Sequence, residues 1–220
     1  MSRKSLIILG IVLLALVAGG VWYFMAGSGD AATASSSQGK GYEITADDHT
    51  QGNKNAKVVL IEYAAPVCPH CAHFNEAFFP DIKKKYIDTG KVFYIFRVFP
   101  IRPGDGPAQK LALCLPADKF FPFIDLLFRN QAKWDADEYQ GADLHGGLIL
   151  MARMAGMSPD QADQCMTSTK EDERINKVAS DGEARYAIGS TPTFIVNGVP
   201  HAEMAFEDLP KILDQALAGH

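Results

Sequence analysis

The sequence predicts an α/β fold: a mixed central sheet with a large helical insertion, preceded by an N-terminal transmembrane or signal helix. Three observations carry this expectation. A strand–helix–strand pattern opens the region after residue 41, residues 107–188 read almost entirely helical, and a hairpin signal before an amphipathic helix closes the chain. The first unit implies a parallel pair joined by a crossover, and the terminal hairpin adds antiparallel pairing.

Leu6 to Ala26 comes first, a run of 21 uncharged residues after the basic "MSRKS". A helix needs about 20 apolar residues to span the bilayer core, more than a secretory signal uses. Trp22 and Tyr23 suit an interfacial belt, and Arg3 and Lys4 would hold the N-terminus in the cytoplasm. An uncleaved anchor through residues 6–26 is therefore favoured over a cleaved signal peptide, for which Ala32-Thr33-Ala34 offers a distant small-residue site. Either segment, read as residues 1–27, exports the rest of the chain. Residues 28–41, within the small and polar "GSGDAATASSSQGKG", read as a flexible linker.

The exported domain, 42–220, begins its pattern at Lys57–Tyr63, an apolar and β-branched run expected as a buried strand. Pro69 suits the first position of a helix, and Phe74, Phe78, Ile82 and Tyr86 recur at helical spacing. Pro80 falls inside that row and should kink the helix rather than end it. A second strand is expected over Lys91–Phe99. In the helical block, Phe120, Phe121, Ile124, Leu127 and Phe128 give one segment a wide apolar face, expected as core rather than groove. Ser158, Pro159 and Gln161 form a capping-box-like start, and the long charged helix after it is expected to stop at Gly189. Asn197-Gly198 predicts a hairpin between "PTFIV" and "VPHAEM", before a closing helix in "FEDLPKILDQALA".

The net charge of -5 argues against nucleic acid as a partner, the more so because residues 28–220 hold 19 basic and 26 acidic side chains.

The chemistry concentrates where the first strand meets the first helix, in "VLIEYAAPVCPHCAHF". Covalent haem would need histidine directly after the second cysteine, but Ala72 is there and His73 comes one residue late. Structural zinc usually takes four ligands, and the chain has one close cysteine pair, with Cys114 and Cys165 isolated, so no metal or other cofactor is expected. Disulfide exchange needs a nucleophilic thiolate and a resolving thiol within one helical turn. Cys68 sits at a helix N-terminus, which favours its anion, and Cys71 lies three residues on. His70 between them can add a donor or a positive charge. Favouring the thiolate stabilises the dithiol and makes the disulfide a stronger oxidant. Glu62, an acid inside the apolar strand, is costly there unless it has a task, and a proton relay for Cys71 is preferred over a residue facing a wet crevice.

"CPHC" opening a proline-kinked helix, an acid six residues upstream and "TPTFIVNG" late in the chain resemble the thioredoxin superfamily. The Pro69-His70 pair and the helical insertion narrow the resemblance to its DsbA-like members. It covers most of residues 41–220 and implies a thioredoxin fold. It also implies a cis bond at Thr191-Pro192 that turns the Thr191 backbone toward the cysteines, where substrate would pair. The activity implied is periplasmic dithiol oxidation of exported cysteine-containing polypeptides. A DsbB-type quinone-coupled membrane protein would be the reoxidant. A disulfide isomerase or specialised reductase is the alternative within this chemistry, and a membrane-tethered metal-handling or binding module is the alternative outside it. Four cysteines allow three pairings. With the motif pair closing on itself, Cys114 and Cys165 are expected to bridge in an oxidising compartment, against the alternative of two buried free thiols. A monomer is expected.

Overall fold

The structure, a computed structural model, describes residues 42–45 and 48–219. The expected anchor or signal helix (1–27) and linker (28–41) lie outside the described residues. Among the described residues, no helix is long and apolar enough to cross a membrane.

Five strands form one mixed sheet: β1 (His49–Gly52), β2 (Val58–Ala64), β3 (Val92–Val98), β4 (Thr193–Val196) and β5 (Val199–His201), in the order β1-β3-β2-β4-β5. β2 and β3 are parallel, with Glu62 opposite Phe96, and the other three pairings are antiparallel. Every residue of β2 and β3 is buried. Helices cover both faces of these strands, which explains why their sequences run apolar without alternation. Strand parity sorts the side chains. Leu60, Tyr94, Phe96 and Phe194 join the larger core with Cys71 and Phe74, whereas Ile61, Tyr63, Ile95 and Ile195 pack with Tyr186 and Ile188 on the other face. Glu62 has the parity of the first set, so it points into the face that carries the cysteines.

β1 has no counterpart among the expected elements. "HTQG" is short and has no apolar side chain, and it becomes a strand because it satisfies the free edge of β3. The expected strand partner "VPHAEM" contributes only Val199–His201. The turn before it is as the dipeptide requires: Asn197 and Gly198 both have positive φ, 48° and 87°, the geometry of a type I′ hairpin. The Asn197 side chain also accepts a hydrogen bond from the Val59 N–H at 2.8 Å, tying the hairpin to the start of β2.

The first helical stretch is α1 (Pro69–Ala77), a break at Phe78, α2 (Phe79–Ile82) and a π turn over Lys83–Ile87. The break falls two residues before Pro80, whose ring prevents a straight continuation. Phe78 stays in the right-handed region but with φ stretched to −119°, and its N–H still bonds Phe74, so the axis bends without losing its row of apolar contacts.

The helical insertion holds α3 (Asp105–Cys114), α4 (Ala117–Arg129), α5 (Gln131–Trp134), α6 (Leu144–Met154), α7 (Pro159–Met166) and α8 (Thr169–Tyr186). Phe120, Ile124, Leu127 and Phe128 are core residues, while Phe121 is only half-buried. α7 starts with the full capping box of Ser158 and Gln161. α8 ends earlier than Gly189, capped by Ala187, which takes the left-handed conformation (φ 54°) usually given to glycine. Gly182 lets α8 approach β2: a Cβ there would lie 2.7 Å from the Tyr63 ring. The closing helix, α9 (Leu209–Ala218), comes after a single 3-10 turn and buries Leu209 and Leu213.

Candidate active site

The head of α1 decides where the cysteines lie. Cys68 is its N-cap, in extended geometry, with Pro69 at the first helical position. There the Cys68 Sγ accepts a hydrogen bond from the Cys71 N–H at 3.3 Å. Such a sulfur faces the unpaired N–H groups and the positive end of the helix dipole. The pair is present as free thiols, both buried.

Thr191 and Pro192 come from the loop before β4. The Thr191-Pro192 bond is cis, and the Thr191 carbonyl accepts a hydrogen bond from the Cys68 thiol at 3.2 Å. The Thr191 hydroxyl is buried without a hydrogen-bond partner.

The two sulfurs are made unequal. The Cys68 thiol is drawn down to about 6, first by hydrogen bonding to the Cys71 side chain, against the cost of burial, then by the backbone N–H groups of Cys71 and His70. Burial pushes Cys71 well above the usual thiol range, and its hydrogen bond to Cys68 and the charges of Cys68 and Glu62 add to this. A thiolate therefore forms at Cys68, while Cys71 keeps its proton.

Below them lies Glu62, 2% exposed. Burial lifts its carboxyl to about 8, opposed by the Tyr94 hydroxyl, with the Cys68 charge adding to the rise. Tyr94 Oη donates to Glu62 Oε2 at 2.6 Å. Sequence reasoning does not single out Tyr94. It lies two residues before Phe96, the strand partner of Glu62, and so on the same face. Its place beside Glu62 follows from the alternation of strand faces once the β2–β3 register is known, and that register is a property of the fold.

His70 contributes through its backbone. Its side chain is exposed, and what reaches Cys68 is its backbone N–H. Pro69 is likewise exposed. Cys114 and Cys165 form a disulfide between α3 and α7, in the helical insertion. Among the described residues no group of three or more His, Cys, Asp or Glu is placed to hold a metal ion.

A family model described as thioredoxin matches residues 45–215, most of the chain. The chain belongs to the thioredoxin family. Within that family its neighbours are DsbA-like. The crystal structure of Wolbachia pipientis alpha-DsbA1 superposes with a TM-score of 0.71 at 28% identity, covering 80% of this chain and 94% of the other. BdbD from Bacillus subtilis shares the fold, with a TM-score of 0.69 at 23% identity over 79% of this chain and 94% of the other. Among curated relatives, a Rickettsia typhi protein named as a protein-disulfide oxidoreductase is 35% identical over 182 residues, 80% of this chain. The chain spans 64% of that relative's length. A thioredoxin-family member with these two sulfurs, one ionised and one protonated beside a protonated acid, is equipped for thiol–disulfide exchange.

The raised Glu62 carboxyl has a measurable cost. Its folded-state pKa lies above its unfolded value, so the parent loses stability as pH rises from the unfolded pKa to the folded one. Replacing Glu62→Gln should remove that loss. In the reduced protein the variant should match the parent near pH 4.5 and exceed it by about 3 kcal/mol at pH 7. Urea unfolding across that pH range checks the trend, and equal slopes for the two proteins would contradict it.

Proposed function

We propose that this protein is an exported thiol:disulfide oxidoreductase that donates its Cys68–Cys71 disulfide to cysteine-containing polypeptides. The asymmetry of the two sulfurs carries this reading, because a thiolate stabilised at Cys68 favours the open, reduced pair. The names of the Rickettsia relatives and of a Bacillus cereus disulfide bond formation protein D, 29% identical over 184 residues, point the same way.

The steps balance. A substrate thiolate attacks Cys68 Sγ, the Cys68–Cys71 bond breaks, and Cys71 leaves as a thiolate. Because Cys71 holds its proton strongly, it draws one from Glu62, which is protonated at neutral pH. A second substrate thiolate attacks the substrate sulfur of the mixed disulfide, and Cys68 leaves as its favoured anion. The substrate gives up two electrons to the protein and two protons to solvent on forming its thiolates; one proton returns from solvent to Glu62, and the other stays in solvent because Cys68 remains the anion. Thr191 supplies backbone beside the reacting sulfur, a place for an extended substrate segment to pair. Regeneration of the disulfide falls to a DsbB-type quinone-coupled membrane protein, and residues 6–26 would keep the domain at the inner membrane, in the periplasm.

The deciding measurement is the reduction potential of the Cys68–Cys71 pair in glutathione buffers. A value above about −180 mV is expected, on the oxidising side of protein disulfide isomerase. A value near about −270 mV, that of thioredoxin, would make the protein a reductase instead. Refolding of reduced against scrambled ribonuclease separates oxidase from isomerase.

A further inference from the structure

The turn that leads into the nucleophile, Pro66 to Cys68, is fastened by side chains that come after β3 in the chain. Its backbone offers five polar groups, since proline has no N–H. The Cys68 N–H bonds Ala65 O at 3.0 Å, and the Cys68 carbonyl accepts from Ala72 N at 3.1 Å, as the helix start requires. Everything else comes from three residues. Gln131 Nε2 donates to Pro66 O at 2.7 Å and to Cys68 O at 3.1 Å, using both its protons. Asp105 Oδ1 accepts from the Val67 N–H at 3.0 Å. Arg102 Nη2 donates to the Val67 carbonyl.

These groups are expensive where they stand. Asp105 is fully buried and Gln131 is 4% exposed, and a buried carboxylate or amide costs free energy unless its hydrogen bonds are made. Asp105 spends its second oxygen on the N–H groups of Ile101 and Arg102, at 2.7 and 3.2 Å. Arg102 is braced by Asp135 at 3.1 Å. Apolar residues of similar size would fill the same space, yet the polar atoms converge on one three-residue turn. That turn fixes the extended backbone of Cys68, and the backbone fixes where Sγ meets the head of α1.

We propose that Gln131, Asp105 and Arg102 are positioning residues: a clamp from the helical insertion and the loop before it that holds the Cys68 backbone, and through it the sulfur, at the N-terminus of α1. The inference deepens the oxidoreductase reading above and rests on it for its purpose. It gives the insertion a role in the chemistry that shape alone does not supply. A loosened clamp lets Cys68 rotate, weakens the Cys71 N–H contact and destabilises the thiolate.

The test compares Gln131→Met and Arg102→Met with Tyr86→Phe in the full chain. Tyr86 Oη bonds Pro210 O and Asp214 on α9, so its loss costs stability without touching the turn. Cys68 ionisation is followed by thiolate absorbance against pH, and stability by urea. Both methionine variants are expected to lower the Cys68 ionisation constant about threefold or more, while Tyr86→Phe leaves it unchanged. Parent-like titration in both methionine variants overturns the clamp, as does an equal shift in Tyr86→Phe. If Gln131→Met does not fold, Arg102→Met decides alone, since that side chain is 25% exposed and its loss is tolerable. Oxidation of a dithiol peptide by the parent is measured alongside. Failure there overturns the oxidoreductase reading and leaves the titration result to stand or fall separately.

Discussion

Replacing Cys68→Ser is expected to abolish disulfide donation, lowering the second-order rate with a dithiol peptide by at least about 1,000-fold. The substitution is nearly isosteric at a site 3% exposed, so the fold should survive it. Cys71 cannot take over. It is fully buried, and its burial and the neighbouring charges hold it as the thiol rather than the reactive anion. The reciprocal change, Cys71→Ser, should leave a reactive Cys68 that is captured as a persistent mixed disulfide, because no resolving thiol remains beside it. Peptide oxidation followed by chromatography reads the first variant, and intact mass after exposure to an oxidised peptide reads the second. A Cys68→Ser protein that still oxidises peptides would remove the nucleophile from the proposed mechanism.

Removing the second bridge, with Cys114→Ala and Cys165→Ala together, should cost about 4 kcal/mol of stability. The bridge closes a loop with a sequence separation of 51 residues, and the chain-entropy relation gives about that value for a loop of this size. For a domain of this length each kcal/mol moves Tm by about 2–4 °C, so a fall of about 8–16 °C is expected. The effect should localise, since the bridge joins α3 to α7, and these helices pack together with Ala112 and Ala162 fully buried. Calorimetry of the double variant against the parent measures the loss. A Tm shift of less than about 2 °C would mean that the unfolded chain gains little freedom from the cut.

How far the sequence can be read depends on how local each feature is. Pro69 at the first position of α1, Cys68 at its N-cap and Cys71 one turn on follow from capping chemistry within four residues, and the structure places them so. The Asn197-Gly198 turn and the Ser158 capping box are equally local. β1 escapes such reading because "HTQG" has no pattern of its own and is a strand only beside β3. The end of α8 differs by two residues because Ala187 adopts a conformation expected of Gly189. The cis bond is legible through family resemblance, as Thr191-Pro192 taken alone reads only as a turn before a strand.

Residue type and spacing along short segments are enough to specify a thiol pair at a helix head, an acid inside a buried strand and a sheet interrupted by a helical block. What surrounds that acid is decided by packing. Its carboxyl is lifted to about 8 because β2 is covered on both faces, and its hydrogen-bond donor, Tyr94, arrives through a parallel register 32 residues away. The same holds for the turn before Cys68, held from residues 102, 105 and 131. Burial and long-range hydrogen bonds depend on which segments meet, and short-range periodicity carries no record of that.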